Sequence, residues 1–178
     1  PPPPPPPPPP PSDSTPPPPP PSGGYGGPQP VGPWPRLGAR IIDSLVLLIP
    51  GFIIGALLIG GATSPAGTTS FGLAEFVASV LVTLIGFAYF VWLESTRGQT
   101  VGKMALGYRV VGPTGAHPTV EQSARRNVWM LAALLPGIIG GLVQLVFMIV
   151  IGVTINSDPF KRGWHDNFAG GTAVVRTK

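Results

Sequence analysis

The sequence has no cysteine among its 178 residues and few charged side chains. The first absence excludes disulfide bonds and thiolate metal sites, and it leaves the redox compartment undetermined. Charged residues make up 10% of the chain, hydrophobic residues make up 43%, and the mean hydropathy is +0.33. These values are typical of a small integral membrane protein and unusual for a soluble domain.

The motifs of common enzyme and metal sites are also missing. The chain has two histidines, His117 and His165, and no HExxH pattern, serine nucleophile elbow or Cys–His pair. We therefore expect no enzymatic activity, no cofactor and no metal. The net charge is +4, but no basic face with interleaved aromatic residues is found, so nucleic-acid binding is not predicted.

Most of the 27 prolines lie within residues 1–33, which the composition predicts to be a disordered proline-rich tail. The runs Pro1–Pro11 and Pro16–Pro21 favour polyproline II helix. Such a segment is either a ligand for an aromatic proline-binding groove or a semi-rigid solvated spacer. The remaining residues, 34–178, are predicted to form one transmembrane domain.

The first apolar segment organises this domain. Between Asp43 and Glu75 the sequence carries no charge. The 21 residues of Ile41–Gly61, at about 1.5 Å per helical residue, span a hydrocarbon core of roughly 30 Å. Arg36, Arg40 and Asp43 are spaced i, i+4, i+7 and share one helical face. They are either interfacial anchors with a first-turn acid or a functional polar site near the membrane boundary.

Two further apolar segments follow. The first, Phe76–Leu93, predicts a second span with aromatic residues near its end. The second, within Thr119–Ile155, is interrupted by two Gly/Pro-containing sites. It is too long for one straight span, because about 1.5 Å per residue gives roughly 55 Å. We expect a bent helical hairpin with arms near Gln122–Leu135 and Leu142–Ile155; a tilted single span over Trp129–Ile155 is the rival.

The basic residues predict the orientation of the chain in the membrane. They precede the first span, follow the second and recur at the C-terminus, while the loop between the spans has none. By the positive-inside rule the N-terminal tail, the segment 95–127 and the C-terminus face the cytoplasm. On that side Gly107–Val111 can pair with Gly171–Arg176 as a two-stranded element. The predicted fold class is all-α membrane protein: two transmembrane helices plus a bent helical hairpin, a small cytoplasmic two-stranded element and the disordered tail.

Three motifs occur in order along this domain. They are Arg36-x-x-Ala39-x-x-Ile42-Asp43, then Gly98-x-Thr100-x-Gly102-Lys103-x-x-x-Gly107-x-Arg109-Val110-Val111, and last Trp164-His165-Asp166-x-x-Ala169-Gly170-x-Thr172-x-Val174-Val175. Together they resemble the RDD family of bacterial membrane proteins over about residues 34–176. The proline-rich head is similar to that of mycobacterial proline-rich antigens.

The resemblance implies a multi-pass protein of the bacterial cell membrane. Its named residues match Arg36, Asp43 and Asp166, with Arg40 as an additional candidate arginine, and its motifs include Gly102, Lys103, Trp164 and His165. We expect Arg36, Asp43 and Asp166 to meet at the membrane boundary, where one arginine can hold two carboxylates. The other interpretation of Trp164–Asp166 is a membrane-surface cap, with Asp166 capping the next turn.

Three function classes are compatible with these residues. The first is a structural or partner-recruiting membrane component whose partners are the lipid bilayer and a proline-binding protein or a second copy of the chain. The second is a small cation/proton transporter using Asp43 and Asp166, an activity proposed for some members of the family. The third, an enzyme, has the least support, because no catalytic motif is present.

Overall fold

The computed structural model describes residues 29–58 and 72–177, so the predicted tail over residues 1–28 lies outside the described residues. Helices dominate, with one small sheet. The helices are α1 Pro33–Leu58, α2 Leu73–Arg97, α3 Val101–Leu106, α4 Val120–Asn127, α5 Ile138–Ser157 and α6 Trp164–Phe168. A 3₁₀ helix occupies Val128–Leu134, and the strands are β1 Tyr108–Val111 and β2 Ala173–Arg176.

Three of these helices are long and apolar enough to cross a membrane: α1, α2 and α5. Most of their large hydrophobic side chains lie on the outer surface; Phe52 and Ile138, for example, are 78% and 77% exposed. An apolar outer surface is what lipid contact requires, because the bilayer offers no water to solvate polar groups. The predicted first and second spans are confirmed, although α1 already begins at Pro33 and therefore contains both arginines.

The hairpin prediction is also confirmed, with unequal arms. The 3₁₀ helix packs along α5, and the Gln144 amide donates to the Met130 carbonyl at 2.9 Å. The chain reverses at Leu135–Gly137, where Gly137 has a φ of +62° that favours glycine. A single tilted span over Trp129–Ile155 is therefore wrong. The first arm is a short 3₁₀ helix, and α5 alone has the length of a span.

The predicted pairing of the two distant strands is confirmed. β1 and β2 are antiparallel, with Tyr108 opposite Arg176 and Val111 opposite Ala173. This pairing brings the segment after α2 and the end of the chain together. Val31, two residues before α1, also bonds to β2, so the N-terminal end of α1 and the C-terminal ends of α2 and α5 lie at one face of the protein.

The boundary of the tail at residue 33 needs correction. Val31 is 2% exposed and packs against Val110 and Val174, the small core of the sheet. Its N–H donates to the Val174 carbonyl at 2.9 Å, and the Arg176 N–H donates to the Gln29 carbonyl at 2.9 Å. The pairing of residues 29–31 with β2 could not be predicted from the sequence, because a single buried valine among prolines gives no periodic signal.

Candidate functional site

Asp166 is the centre of a buried polar layer at the face where the sheet lies. Its carboxylate is fully buried and pairs with two guanidinium groups: Arg36 Nη1 lies 2.6 Å from Oδ2, and Arg126 Nη1 contacts Oδ1. Oδ2 also accepts from the Gly163 N–H at 2.9 Å, so Asp166 caps the start of α6. Charge-assisted hydrogen bonds of this kind hold α1, α4 and α6 together.

Glu94, near the end of α2, is the second buried carboxylate of the layer. Its Oε1 lies 2.7 Å from Lys103 Nζ, and its Oε2 accepts from Asn127 Nδ2 at 3.0 Å. Arg126 Nε lies 3.5 Å from the same Oε2. Arg126 therefore bridges Glu94 and Asp166, and a continuous chain of ion pairs runs from Arg36 in α1 to Lys103 in α3.

Asp43 lies in a separate site and has no ion pair within the described part of the chain. It is fully buried and accepts three hydrogen bonds: from Tyr89 OH at 2.8 Å, Thr100 Oγ1 at 2.6 Å and the Gly102 N–H at 2.7 Å. These donors come from α2, the α2–α3 connection and α3. The carboxylate thus fastens three segments with neutral donors only.

Gly102 makes this close approach of α3 to α1 feasible. A Cβ built on Gly102 would lie 2.0 Å from the Ala39 carbonyl oxygen and 3.0 Å from Asp43 Cγ. No side chain fits at that position without moving a helix backbone. The glycine is therefore the residue that lets a backbone N–H reach the buried carboxylate.

Arg40 faces a different environment from Arg36. Its guanidinium carbon lies 3.8 Å from the centroid of the Phe90 ring and 4.9 Å from that of Trp129. Among residues 29–58 and 72–177, no carboxylate lies within ion-pair distance of Arg40, and its side chain makes no hydrogen bond. The two aromatic rings stabilise the guanidinium, and its N–H groups are available to bind a hydrogen-bond acceptor.

His165 is buried beside Asp166, with Nε2 3.6 Å from Oδ1 of the carboxylate. Burial lowers the pKa of His165 to about 3, against the attraction of Asp166. The imidazole is consequently neutral at pH 7. Burial alone would raise the pKa of Asp166, but the positive charges of Arg126 and Arg36 outweigh it and hold that pKa below its usual range. Asp166 is thus ionised and His165 is not.

Lys103 and Trp164 complete the residues predicted from the family motifs. Burial lowers the pKa of Lys103, and the ion pair with Glu94 opposes that shift. Trp164 stacks between Phe147 and Phe168, with ring centroids 5.9 Å and 5.5 Å away. It is 39% exposed, so it covers the end of α5 rather than entering the polar layer.

The structure brings some predicted site residues together and separates others. Arg36 forms an ion pair with Asp166 but not with Asp43. The prediction that one arginine binds both aspartates is therefore wrong. Asp43 lies on the same face of α1 as the arginines, but its hydrogen-bond donors come from α2, α3 and the segment between them. Within the described residues no three His, Asp or Glu side chains are grouped as metal ligands.

Sequence reasoning missed several residues of the layer. The predicted site residues do not include Glu94, Arg126 or Asn127. Thr100 was part of the second motif and could have been noticed there. Glu94 carries a weaker signal: a carboxylate within two turns of Tyr89 and Phe90 at the end of a span needs a partner.

Comparisons with known proteins agree with this architecture. The RDD family model matches residues 30–170. Uncharacterized protein YxaI of Bacillus subtilis (strain 168) is 28% identical over 151 residues, covering 78% of this chain and 92% of the relative. Uncharacterized protein YckC of the same organism is 28% identical over 142 residues, covering 80% of this chain and 82% of the relative. No solved structure matches. The family match includes α1, α2, the hairpin and Asp166, and the chain belongs to the RDD family.

Proposed function

We propose that this protein is a non-enzymatic structural component of the bacterial cell membrane that recruits partners through its proline-rich segment. The observation that carries the proposal is the state of the two family aspartates. Both are fully buried; the Asp166 carboxylate pairs with Arg36 and Arg126, and the Asp43 carboxylate accepts three hydrogen bonds. Groups that are saturated in this way hold helices together and are poorly placed to exchange ions.

The attachment of the N-terminal segment supports the recruiting part of the proposal. Residues 29–31 are fixed to β2 by backbone hydrogen bonds, so the tail joins the domain at the edge of the sheet. A proline-binding protein that engages the tail would thus be held next to the polar layer.

Orientation is the second element of the proposal. Positive residues cluster at the face that carries the sheet, which by the positive-inside rule is the cytoplasmic face. Reporter fusions after Gly115 and after Lys178 should report a cytoplasmic location, and a fusion after Gly67 an external one. An external reporter at Lys178 would contradict the orientation.

Cation/proton transport through Asp43 is the rival function. It is favoured by one observation: a carboxylate buried inside a span without a cationic partner among the described residues is a candidate protonation site. The test is cation-dependent proton flux in liposomes with the purified protein. We expect the same background flux for the wild type, Asp43→Asn and empty liposomes.

The same variant separates the two functions by a second readout. If Asp43 is structural, Asp43→Asn lowers thermal stability in detergent, because Asn cannot accept all three hydrogen bonds as a charged acceptor does. A wild-type flux that Asp43→Asn abolishes while stability is retained would establish the transporter instead.

The recruiting role has its own test in cells. A photo-crosslinking residue at Tyr25 should form a discrete adduct with a protein, since a bound proline segment lies within reach of its partner. Replacing Pro16–Pro21 by a Gly/Ser segment is the matched control and should remove the adduct. Absence of any adduct at Tyr25 would support the spacer interpretation.

A further inference from the structure

A cavity of about 620 Å³ lies between the first turns of α1 and the second half of α5. One end is polar and is lined by four cationic side chains: Arg36, Arg40, Lys103 and Arg126. The carboxylate of Glu94 and the neutral polar side chains of Asn127 and His165 also line the cavity. The rest of the lining is apolar except for Asn156 and Ser157 near the end of α5. Trp34, Leu145 and Ile149 of this lining are 79%, 51% and 57% exposed, so the cavity opens on the apolar outer surface of the spans.

The charges around the polar end do not balance. Two carboxylates, Glu94 and Asp166, contact the cations that line the cavity. Asp43 is the third buried carboxylate of the region, and with it the four cations still exceed the carboxylates by one. The surplus is located at Arg40, because the other three cations are each in an ion pair.

An unpaired guanidinium inside a membrane helix is costly and favours an anionic partner. Arg40 lies seven residues into α1, about 10 Å along the helix at 1.5 Å per residue. The guanidinium lies over the rings of Phe90 and Trp129 and makes no hydrogen bond within residues 29–58 and 72–177, so its N–H groups can form a bidentate contact with an anion. Phosphate oxygens fit this geometry, and basic pockets between membrane helices bind anionic lipid headgroups.

We propose that this cavity binds the headgroup of one anionic glycerophospholipid, with its phosphate on Arg40 and its acyl chains along α5. The polar end accommodates the phosphate and the start of the glycerol backbone. The exposed apolar wall continues into the bilayer, so a lipid can enter sideways without leaving the membrane. A cavity of this volume is within the usual range of about 300–1,000 Å³ for small-molecule sites.

Purified protein in neutral detergent can test the assignment. The thermal unfolding midpoint is measured while phosphatidylglycerol, phosphatidylcholine or inorganic phosphate is added. We expect phosphatidylglycerol to bind about tenfold or more tightly than phosphatidylcholine, because a charge-assisted pair replaces an unpaired cation. Inorganic phosphate, which lacks acyl chains, should produce no comparable rise in the midpoint. Equal responses to the two lipids, or an equal response to phosphate, would overturn the assignment.

Two variants place the effect at the cavity. In Arg40→Gln the ratio of the affinities for phosphatidylglycerol and phosphatidylcholine should fall close to one. Arg97→Gln, which removes an exposed charge outside the cavity, should leave that ratio unchanged. If Arg40→Gln does not fold, Ile149→Trp fills the apolar wall and should weaken binding of phosphatidylglycerol without changing charge. A folded Arg40→Gln or Ile149→Trp variant with undiminished preference would refute the site, as would an equal loss in Arg97→Gln.

Discussion

Replacing Asp166 by asparagine should be among the most damaging single changes outside the spans. The carboxylate is fully buried and is shared by Arg36 and Arg126. Asparagine keeps the size of the side chain and can still accept from the Gly163 N–H, so the change removes the charge and little else. Arg36 then loses its carboxylate partner, and Arg126 loses one of its two.

The magnitude follows from that loss. Removing one partner of a buried ion pair typically costs about 3–5 kcal/mol in the free energy of unfolding. Arg126 retains a contact with Glu94, whereas Arg36 keeps only its bonds to backbone carbonyls of Val31 and Lys161. We therefore expect a loss near the middle of that range, about 4 kcal/mol, measured by reversible unfolding with SDS in mixed micelles.

Asp158→Asn is the matched control. Asp158 also accepts a backbone N–H, that of Phe160 at 2.6 Å, but it has no ion pair in the described part of the chain. Its replacement should cost less than about 1 kcal/mol, as for an ordinary hydrogen bond. A similar loss for both variants, or a loss below about 1 kcal/mol for Asp166→Asn, would show that the ion pairs do not stabilise the fold.

Three further predictions concern other parts of the molecule. Stability should fall as the pH drops from about 6.5 towards 3, because the unfolded chain protonates His165 in that window while the folded chain does not; His165→Gln should flatten this slope in a pH series of thermal unfolding. Gly102→Ala should cost more than about 3 kcal/mol, since its Cβ meets the Ala39 carbonyl, while Gly141→Ala, which meets nothing, should be neutral or stabilising by up to about 1 kcal/mol in the same assay. Deleting residues 1–28 should leave the melting temperature in detergent unchanged, whereas deleting residues 1–32 should lower it by removing Val31 from the core; identical melting curves for the two deletions would show that Val31 contributes nothing.

The spans and the sheet could be predicted because their signals are local. Runs of apolar residues determine where α1, α2 and α5 lie, and two short β-branched segments on one predicted side were enough to suggest a pair. The 3₁₀ helix at Val128–Leu134 was not predicted, because its apolar sequence does not differ from that of an α-helix.

The polar layer could be predicted only in part. Arg36 and Asp166 are 130 residues apart, and Glu94 and Asn127 are 33 apart, so no spacing rule connects them. For Asp43 the i, i+4, i+7 spacing predicted arginine partners that the structure does not show. Neighbours on the same helix face were expected to pair with it, but the tight contact of α3 at Gly102 supplies a backbone N–H that lies closer.

The ion pair between Arg36 and Asp166 also has a consequence for biogenesis. Its partners are separated by nearly the whole domain, and Asp166 and β2 follow all three spans in the sequence, so they are synthesised after them. The three spans can therefore enter the bilayer while Arg36, Arg126 and Val31 still lack their contacts. The fold closes only when the C-terminal segment returns to the first helix. A chain that stops before residue 164 would expose unpaired arginines at the membrane surface and remain open to proteases that remove unfinished membrane proteins.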